Sequence, residues 1–203
     1  MNTDHSANLG RLYLAWAQML SGEERANKLQ KSLDYYSVAT RLSPSAAHLR
    51  NEYASTYQFA GLPDKAMEQY NISLKLDQRY SDTYRRLGDY YRQTSQNDLA
   101  IQAYEQGVQV APRDINMRSN LGLLYADQGH LAKAIEQNLA VIKMKPTELS
   151  SLRNLAVLYE EAGDLQNALT YAQQALQTAK EDADKTELQA LILEIQSKIA
   201  AGS

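Results

Sequence analysis

Four tyrosines, Tyr57, Tyr91, Tyr125 and Tyr159, recur at intervals of 34 residues, and a fifth, Tyr13, stands 44 residues before the first of them. A fixed period of that length constrains the fold more than any single motif does. It is what a row of like units produces, each covering the next, and a single closed core has no reason to produce it. A body built this way presents long surfaces and few deep pockets, so the spacing points to binding before it points to catalysis.

Aligned on these tyrosines, the blocks begin at Ala47, Ser81, Ile115 and Leu149. Position seven reads Tyr53, Leu87, Leu121, Leu155, and position eight reads Ala54, Gly88, Gly122, Ala156. Together with the tyrosine at position eleven they share one face of a helix, at the spacing that buries a stripe. Position twenty is alanine throughout, at Ala66, Ala100, Ala134 and Ala168. Small side chains at eight and twenty let two antiparallel helices come close, where a larger one would overpack the contact. Position fifteen reads Gly61, Ser95, Gly129, Gly163 and marks the end of the first helix, where glycine accepts a left-handed backbone. Asp164, and Asp64 after Pro63, are expected to cap the second helices; Pro112 and Pro146 end them, with Asp114 and Thr147 capping the first helix of the next block.

An irregular unit comes first. Asn8-Leu9-Gly10-Arg11-Leu12-Tyr13 matches Asn120-Leu121-Gly122-Leu123-Leu124-Tyr125, which starts the first helix near Asp4. Ser32, Tyr36, Ala39 and Pro44 mark its partner. Between the two lie ten more residues than in the other blocks, and Ser21-Gly22-Glu23-Glu24 reads as a capping box opening the second helix. Shared equally, the insert lengthens the hairpin by roughly 7–8 Å. Trp16, with Met19 and Leu20, lies in this lengthened part. It either packs between the two long helices against Leu29 or stands exposed as a partner contact. After the polar stretch Glu181–Lys185, the residues Leu188, Leu191, Ile192, Ile195 and Ile199 recur at helical spacing and predict a closing helix over the last open face. This helix is also the first candidate for pairing with a second copy.

The pattern resembles the tetratricopeptide repeat, a 34-residue helix–turn–helix unit. The resemblance implies an all-α, right-handed superhelical solenoid of antiparallel helix pairs. The expected units are 3–46, 47–80, 81–114, 115–148 and 149–180, followed by a capping helix over 181–203. Position four, often Trp in the family, is Arg50, Tyr84, Arg118 and Leu152 here. By the same resemblance, positions two, five, six, nine, twelve and thirteen face a concave groove. Carried over, they make Asn8, Asn51, Phe59, Arg85, Arg86, Asp89, Arg92, Asn120, Leu123, Arg153, Asn154 and Val157 the candidate peptide-binding residues. Asn8, Asn120 and Asn154 share position six and resemble the amide ladder of tetratricopeptide domains in glycosyl-transferring enzymes. A side-chain amide donates and accepts, which suits a peptide backbone of any sequence; Glu52 and Arg86 interrupt the row. The carboxylate clamp of chaperone-tail-binding members is not expected, because Asp89 places a negative charge where the clamp has a neutral amide and Ser150 supplies no cation. The expected ligand is an extended peptide with apolar anchors and an acidic residue near Arg85 or Arg92. The competing reading is that these charges pair across neighbouring helices. Residues 2–9 also resemble the opening of the C-terminal tetratricopeptide region of bacterial O-antigen ligase- or polymerase-like membrane proteins. That resemblance implies a soluble accessory part of a glycan-assembling enzyme.

Composition removes other classes. The net charge of −3 argues against a broad nucleic-acid surface. The absence of cysteine excludes disulfides, thiol catalysis and zinc–thiolate sites. His5, His48 and His130 lack a second ligand at metal-binding spacing, and no phosphate loop or nucleophile elbow occurs, so neither metal, cofactor nor intrinsic catalysis is expected. No apolar run is long enough to span a membrane and residues 1–10 lack the shape of a signal peptide, which makes the cytoplasm the default expectation.

Overall fold

The computed structural model describes residues 2–202, and every regular element among them is an α-helix. In order these are α1 (Thr3–Gln18), α2 (Gly22–Leu42), α3 (Ala47–Phe59), α4 (Pro63–Leu76), α5 (Ser81–Gln93), α6 (Asn97–Val110), α7 (Ile115–Asp127), α8 (Leu131–Met144), α9 (Leu149–Glu161), α10 (Leu165–Thr178) and α11 (Asp182–Ala200). The chain divides within α5 into two units, one ending at Asp89 and one beginning at Tyr90. In the first, α1 packs on α2, α2 on α3 and α3 on α4; in the second, α6 packs on α7 and each later helix on the one before it. Within each unit the expected all-α packing of successive helices is what forms.

The recurring tyrosine ends each first helix as well as packing beneath it. Its carbonyl accepts the backbone N–H five residues on: Leu62 to Tyr57 at 2.9 Å, Gln96 to Tyr91, His130 to Tyr125 and Asp164 to Tyr159 each at 2.8 Å. The residue just before that donor is left-handed, with φ of 71° at Gly61, 73° at Gly129 and 78° at Gly163. In the α5–α6 turn the same conformation falls on Ser95, φ 58°. A serine Cβ is strained there and glycine's is absent, so Ser95→Gly is expected to stabilise the protein by about 0.5–1 kcal/mol, net of glycine's greater freedom when unfolded. Urea unfolding checks this; a lowered midpoint would contradict it.

Alanines fill the close contacts as expected. Ala66, Ala100, Ala134 and Ala168 have no exposed surface. In the second unit, Ala100, Ile101 and Tyr104 of α6 and Ala134 of α8 close over Met117, Leu121, Leu124 and Tyr125 of α7. In the first pair, Gly10 lies against Tyr36 so tightly that a Cβ would meet the ring at 2.9 Å. The close approach brings the Ser32 hydroxyl to the Gly10 carbonyl at 2.8 Å.

Several local expectations are corrected. The ten extra residues are not shared equally. α1 has 16 residues against 13 in α3, and α2 has 21 against 14 in α4, so the insert divides as three and seven. Ser21 does precede α2, but its side chain makes no capping bond. Leu62, not Asp64, holds the N-cap of α4, with Pro63 opening the helix and Asp64 placed in its first turn. Glu148, not Thr147, precedes α9. Asp114 and Asp164 cap as expected, accepting from the backbone of Met117 and Asn167.

Arginine replaces the family's aromatic at position four with its own partner. Arg50 donates to Gln69 at 3.0 Å and Arg118 to Gln137 at 2.7 Å, the same nineteen-residue step in two repeats.

Candidate functional site

The first helices carry every candidate groove residue, and their side chains fall into three groups. The first group is consumed by the fold. Asn51 is fully buried and bonds Thr83 at 3.0 Å, while Thr83 bonds Ser73 at 2.9 Å. Asn51 is therefore an internal polar link between α3 and α5, not a groove residue. An unpaired buried amide would cost about 1–3 kcal/mol, which explains why three polar side chains sit here together.

The second group pairs with itself. Asp82 accepts from Arg86 at 2.6 Å and from Arg85, which also reaches Asp89 at 3.2 Å; Arg86 donates to Ser55 at 2.7 Å. Burial alone would raise the Asp82 carboxyl, but the hydrogen bonds from Arg86 and Arg85 outweigh it and hold it below its usual range. Arg153 of α9 reaches Asp184 at 2.9 Å and also Glu187, both on α11. Glu160 of α9 is met by Lys198 of α11 at 2.6 Å. The closing helix thus engages two groove positions of α9, a role that its apolar spacing does not announce. Phe59 is covered by the Arg25 guanidinium of the lengthened α2, 4.5 Å from the ring centre. Asn8 accepts from Arg11, whose guanidinium also grips Glu52. Arg92 alone among the candidate cations makes no ion pair with any described residue.

The third group is open. Leu123 on α7 and Val157 on α9 occupy position nine of consecutive repeats and are 45% and 49% exposed. Beside them stand Asn120 and Asn154 at position six. Each of these amides is met from below by the second helix of the preceding pair: Asn120 donates to the Tyr104 hydroxyl at 3.0 Å, and Asn154 to Asn138 at 3.4 Å. The same sixteen-residue step recurs in the first unit. There Tyr36 bonds Glu52, and Tyr70 meets Ser55, the serine that Arg86 holds. Position six is therefore a junction between pairs as well as a surface.

Trp16 does not pack between the long helices. It is 45% exposed, stacks on Tyr13 with ring centres 6.1 Å apart, and carries Lys28 over its face at 3.8 Å. Met19 beside it is exposed. Among the described residues no group of three His, Asp or Glu side chains could hold a metal ion, and no helix is long and apolar enough to cross a membrane.

Known proteins point the same way. A family described as TPR repeat matches residues 88–129, and one described as tetratricopeptide repeat matches residues 119–185. No curated protein matches the chain. Among solved structures, MamA superposes with a TM-score of 0.64 at 24% identity, over 75% of this chain and 90% of that one. MamA residues 41 to the end from Desulfovibrio magneticus RS-1 gives 0.61 at 20% identity, over 84% and 94%. YrrB, described as a TPR protein with an unusual peptide-binding site, gives 0.65 at 22% identity, over 88% and 90%. The likeness at these identities is one of fold. With the period, the helix pairs and the two family matches in agreement, the chain carries tetratricopeptide repeats over residues 88–185 and has the fold of tetratricopeptide-repeat proteins.

Proposed function

We propose that this protein is a non-catalytic scaffold that binds an extended peptide segment of a partner protein on the surface formed by its first helices. The observation that carries this reading is the open pair Leu123 and Val157, one repeat apart and bordered by Asn120 and Asn154. Large apolar side chains left in water on adjacent helices are what an anchor pocket needs, and burying each is worth roughly 1.5–3 kcal/mol. Neighbouring helix axes lie about 8–10 Å apart, so a peptide rising about 3.3 Å per residue meets the next helix every third residue. The ligand expected is therefore one with apolar residues three apart. An acidic residue in that ligand has Arg92 to meet, since Arg85, Arg86 and Arg153 are already engaged. YrrB, which shares the fold, is described as having a peptide-binding site, and that supports the same class of ligand.

Peptide display against the protein, followed by titration of the selected peptide, tests this. Leu123→Asp with Val157→Asp is expected to weaken binding by roughly tenfold or more, with helicity unchanged. Failure to enrich any peptide, or equal binding by the double variant, would remove the reading. The resemblance of residues 2–9 to glycan-assembling membrane proteins supports a second reading, in which this chain is an accessory domain of a larger enzyme of that kind; a natural reading frame with no membrane-spanning segment encoded upstream would remove it.

A further inference from the structure

Three of the five recurring tyrosines carry a second phenol ring stacked on their own. Tyr35 lies on Tyr13 with ring centres 5.5 Å apart, Tyr53 on Tyr57 at 4.5 Å and Tyr171 on Tyr159 at 5.5 Å. Tyr125 has no such ring among the described residues; its ring contact is the tilted His130 at 6.3 Å. The sequence explains the gap. The stacking ring comes from position seven at Tyr53 and from position twenty-three at Tyr171, and in the repeat of Tyr125 those positions are Leu121 and Gln137. The rest of the frame is the same in both units. Lys133 stands over Tyr125 at 4.9 Å as Lys65 stands over Tyr57 at 5.7 Å, and Arg118 holds Gln137 as Arg50 holds Gln69. Where Tyr53 stands in the first unit, the second has a cleft of about 550 Å³ between α6, α7 and α8, with Val108, Leu121 and Tyr125 among its walls.

The polar groups of this cleft are sorted along its length. At one end Glu105 accepts from the Tyr125 hydroxyl, and Glu136 lies near enough to raise that hydroxyl as Glu105 does. Two turns back on α7, roughly 10 Å along the axis, Arg118 donates to the Pro112 carbonyl and to Gln137, each at 2.7 Å. Both acceptors are neutral, and Arg118 makes no ion pair with any described residue. Its remaining NH2 group and the NH2 of Gln137, a side chain more than nine-tenths buried, have no partner among those residues either. A carboxylate takes two such donors at once, whereas at the Tyr125 end Glu105 and Glu136 repel an anion and accept from a hydroxyl. Lys133, over the Tyr125 ring, is exposed and without an ion pair among the described residues, so its chain is free to swing aside for a ring.

We infer that this cleft binds a ligand with a phenol ring and a carboxylate on a short arm. The ring lies on Tyr125 as Tyr53 lies on Tyr57, its hydroxyl donates to Glu105, and the carboxylate meets Arg118 and Gln137. A free hydroxyphenyl acid and a tyrosine at the C-terminus of a peptide share this chemistry. None of these residues is shared with Leu123, Val157 and the amides beside them, and neither site depends on the other.

Two probes separate the sources: para-hydroxyphenylpropionate, and an acetylated tripeptide ending in tyrosine with a free carboxylate. Each is titrated into the full chain and followed by saturation-transfer NMR. Saturable binding at or below millimolar concentration is expected, and the tighter of the two probes names the source. Leu121→Tyr supplies from α7 the ring that α3 already carries, and is expected to weaken both probes by roughly tenfold or more. Arg118→Gln is expected to weaken both by roughly tenfold while leaving the weaker binding of para-ethylphenol, which has no carboxylate, unchanged. Circular dichroism verifies the fold of each variant, and should Leu121→Tyr fail to fold, Arg118→Gln decides alone. No saturable binding of either probe, full binding by a folded Leu121→Tyr, or undiminished binding by Arg118→Gln overturns the inference. An equal loss for para-ethylphenol in Arg118→Gln would show that Arg118 acts only through the fold, and overturns it as well.

Discussion

Replacing Tyr104 with alanine is expected to cost about 3–5 kcal/mol of folding free energy. The side chain has no exposed surface and lies in the cluster that joins α6 to α7. Truncation removes its buried ring and leaves a cavity between two helices that cannot both move in, because each is also held by its other neighbours. For a protein whose total stability is of order 5–15 kcal/mol, that is a large share. Tyr104→Phe separates the ring from its hydroxyl. It keeps the packing but removes the oxygen that accepts from Asn120, so a loss of about 1 kcal/mol is expected. Urea unfolding of both variants measures the two contributions. An alanine variant within about 1 kcal/mol of the parent would mean that the cluster is not the core described here.

The second large effect is alkaline unfolding. Burial pushes the hydroxyls of Tyr36, Tyr53, Tyr70 and Tyr125 above their ordinary value of 10.0. Hydrogen bonds with Glu52 at Tyr36, with Tyr57 at Tyr53 and with Glu105 at Tyr125 push in the same direction, while Ser55 opposes the shift at Tyr70. The sign comes from linkage. Below the unfolded value both states hold these protons and nothing is lost. Above it the unfolded chain releases them while the folded chain keeps them, so stability falls as pH rises. Each such tyrosine withdraws about 1 kcal/mol between about pH 10 and 11, and four acting together withdraw most of a marginal stability. Circular dichroism recorded alongside tyrosinate absorbance should show helix loss and the ionisation of the buried phenols in one transition. Complete ionisation near pH 10 with the helices intact would contradict the burial of these rings.

Much of the fold was legible because the repeat converts one observation into four. Alanine at position twenty, small residues at eight and tyrosine at eleven leave few alternatives to close antiparallel pairs. Asp114 and Asp164 announce their helices by residue type and place. The side of a helix that a residue occupies was legible too, but its neighbour on that side was not. Asn51 lies at a groove position by count, yet it is buried because Thr83, one repeat on, offers a small hydroxyl at the right depth. Arg153 reads as a free cation until α11 presents Asp184 and Glu187 to it. Trp16 could not be placed from its residue type. An indole at this spacing suits either the inside or the rim of a long hairpin, and in the fold it is half exposed with Lys28 over its ring. The step that links Tyr104 to Asn120 and Asn138 to Asn154 was visible only as two unrelated columns, because period analysis compares residues with their equivalents and not with their contacts.

Those links also restrict how such a chain can be rearranged. One junction joins a phenol to a carboxylate at Glu52, one reaches a guanidinium through a serine at Arg86, one joins a phenol to an amide at Asn120, and one joins two amides at Asn154. No two are chemically alike, so the units are not interchangeable parts. Permuting them, or duplicating one to lengthen the protein, would exchange these side-chain pairs for others of different length and charge even though every helix kept its length and its alanines.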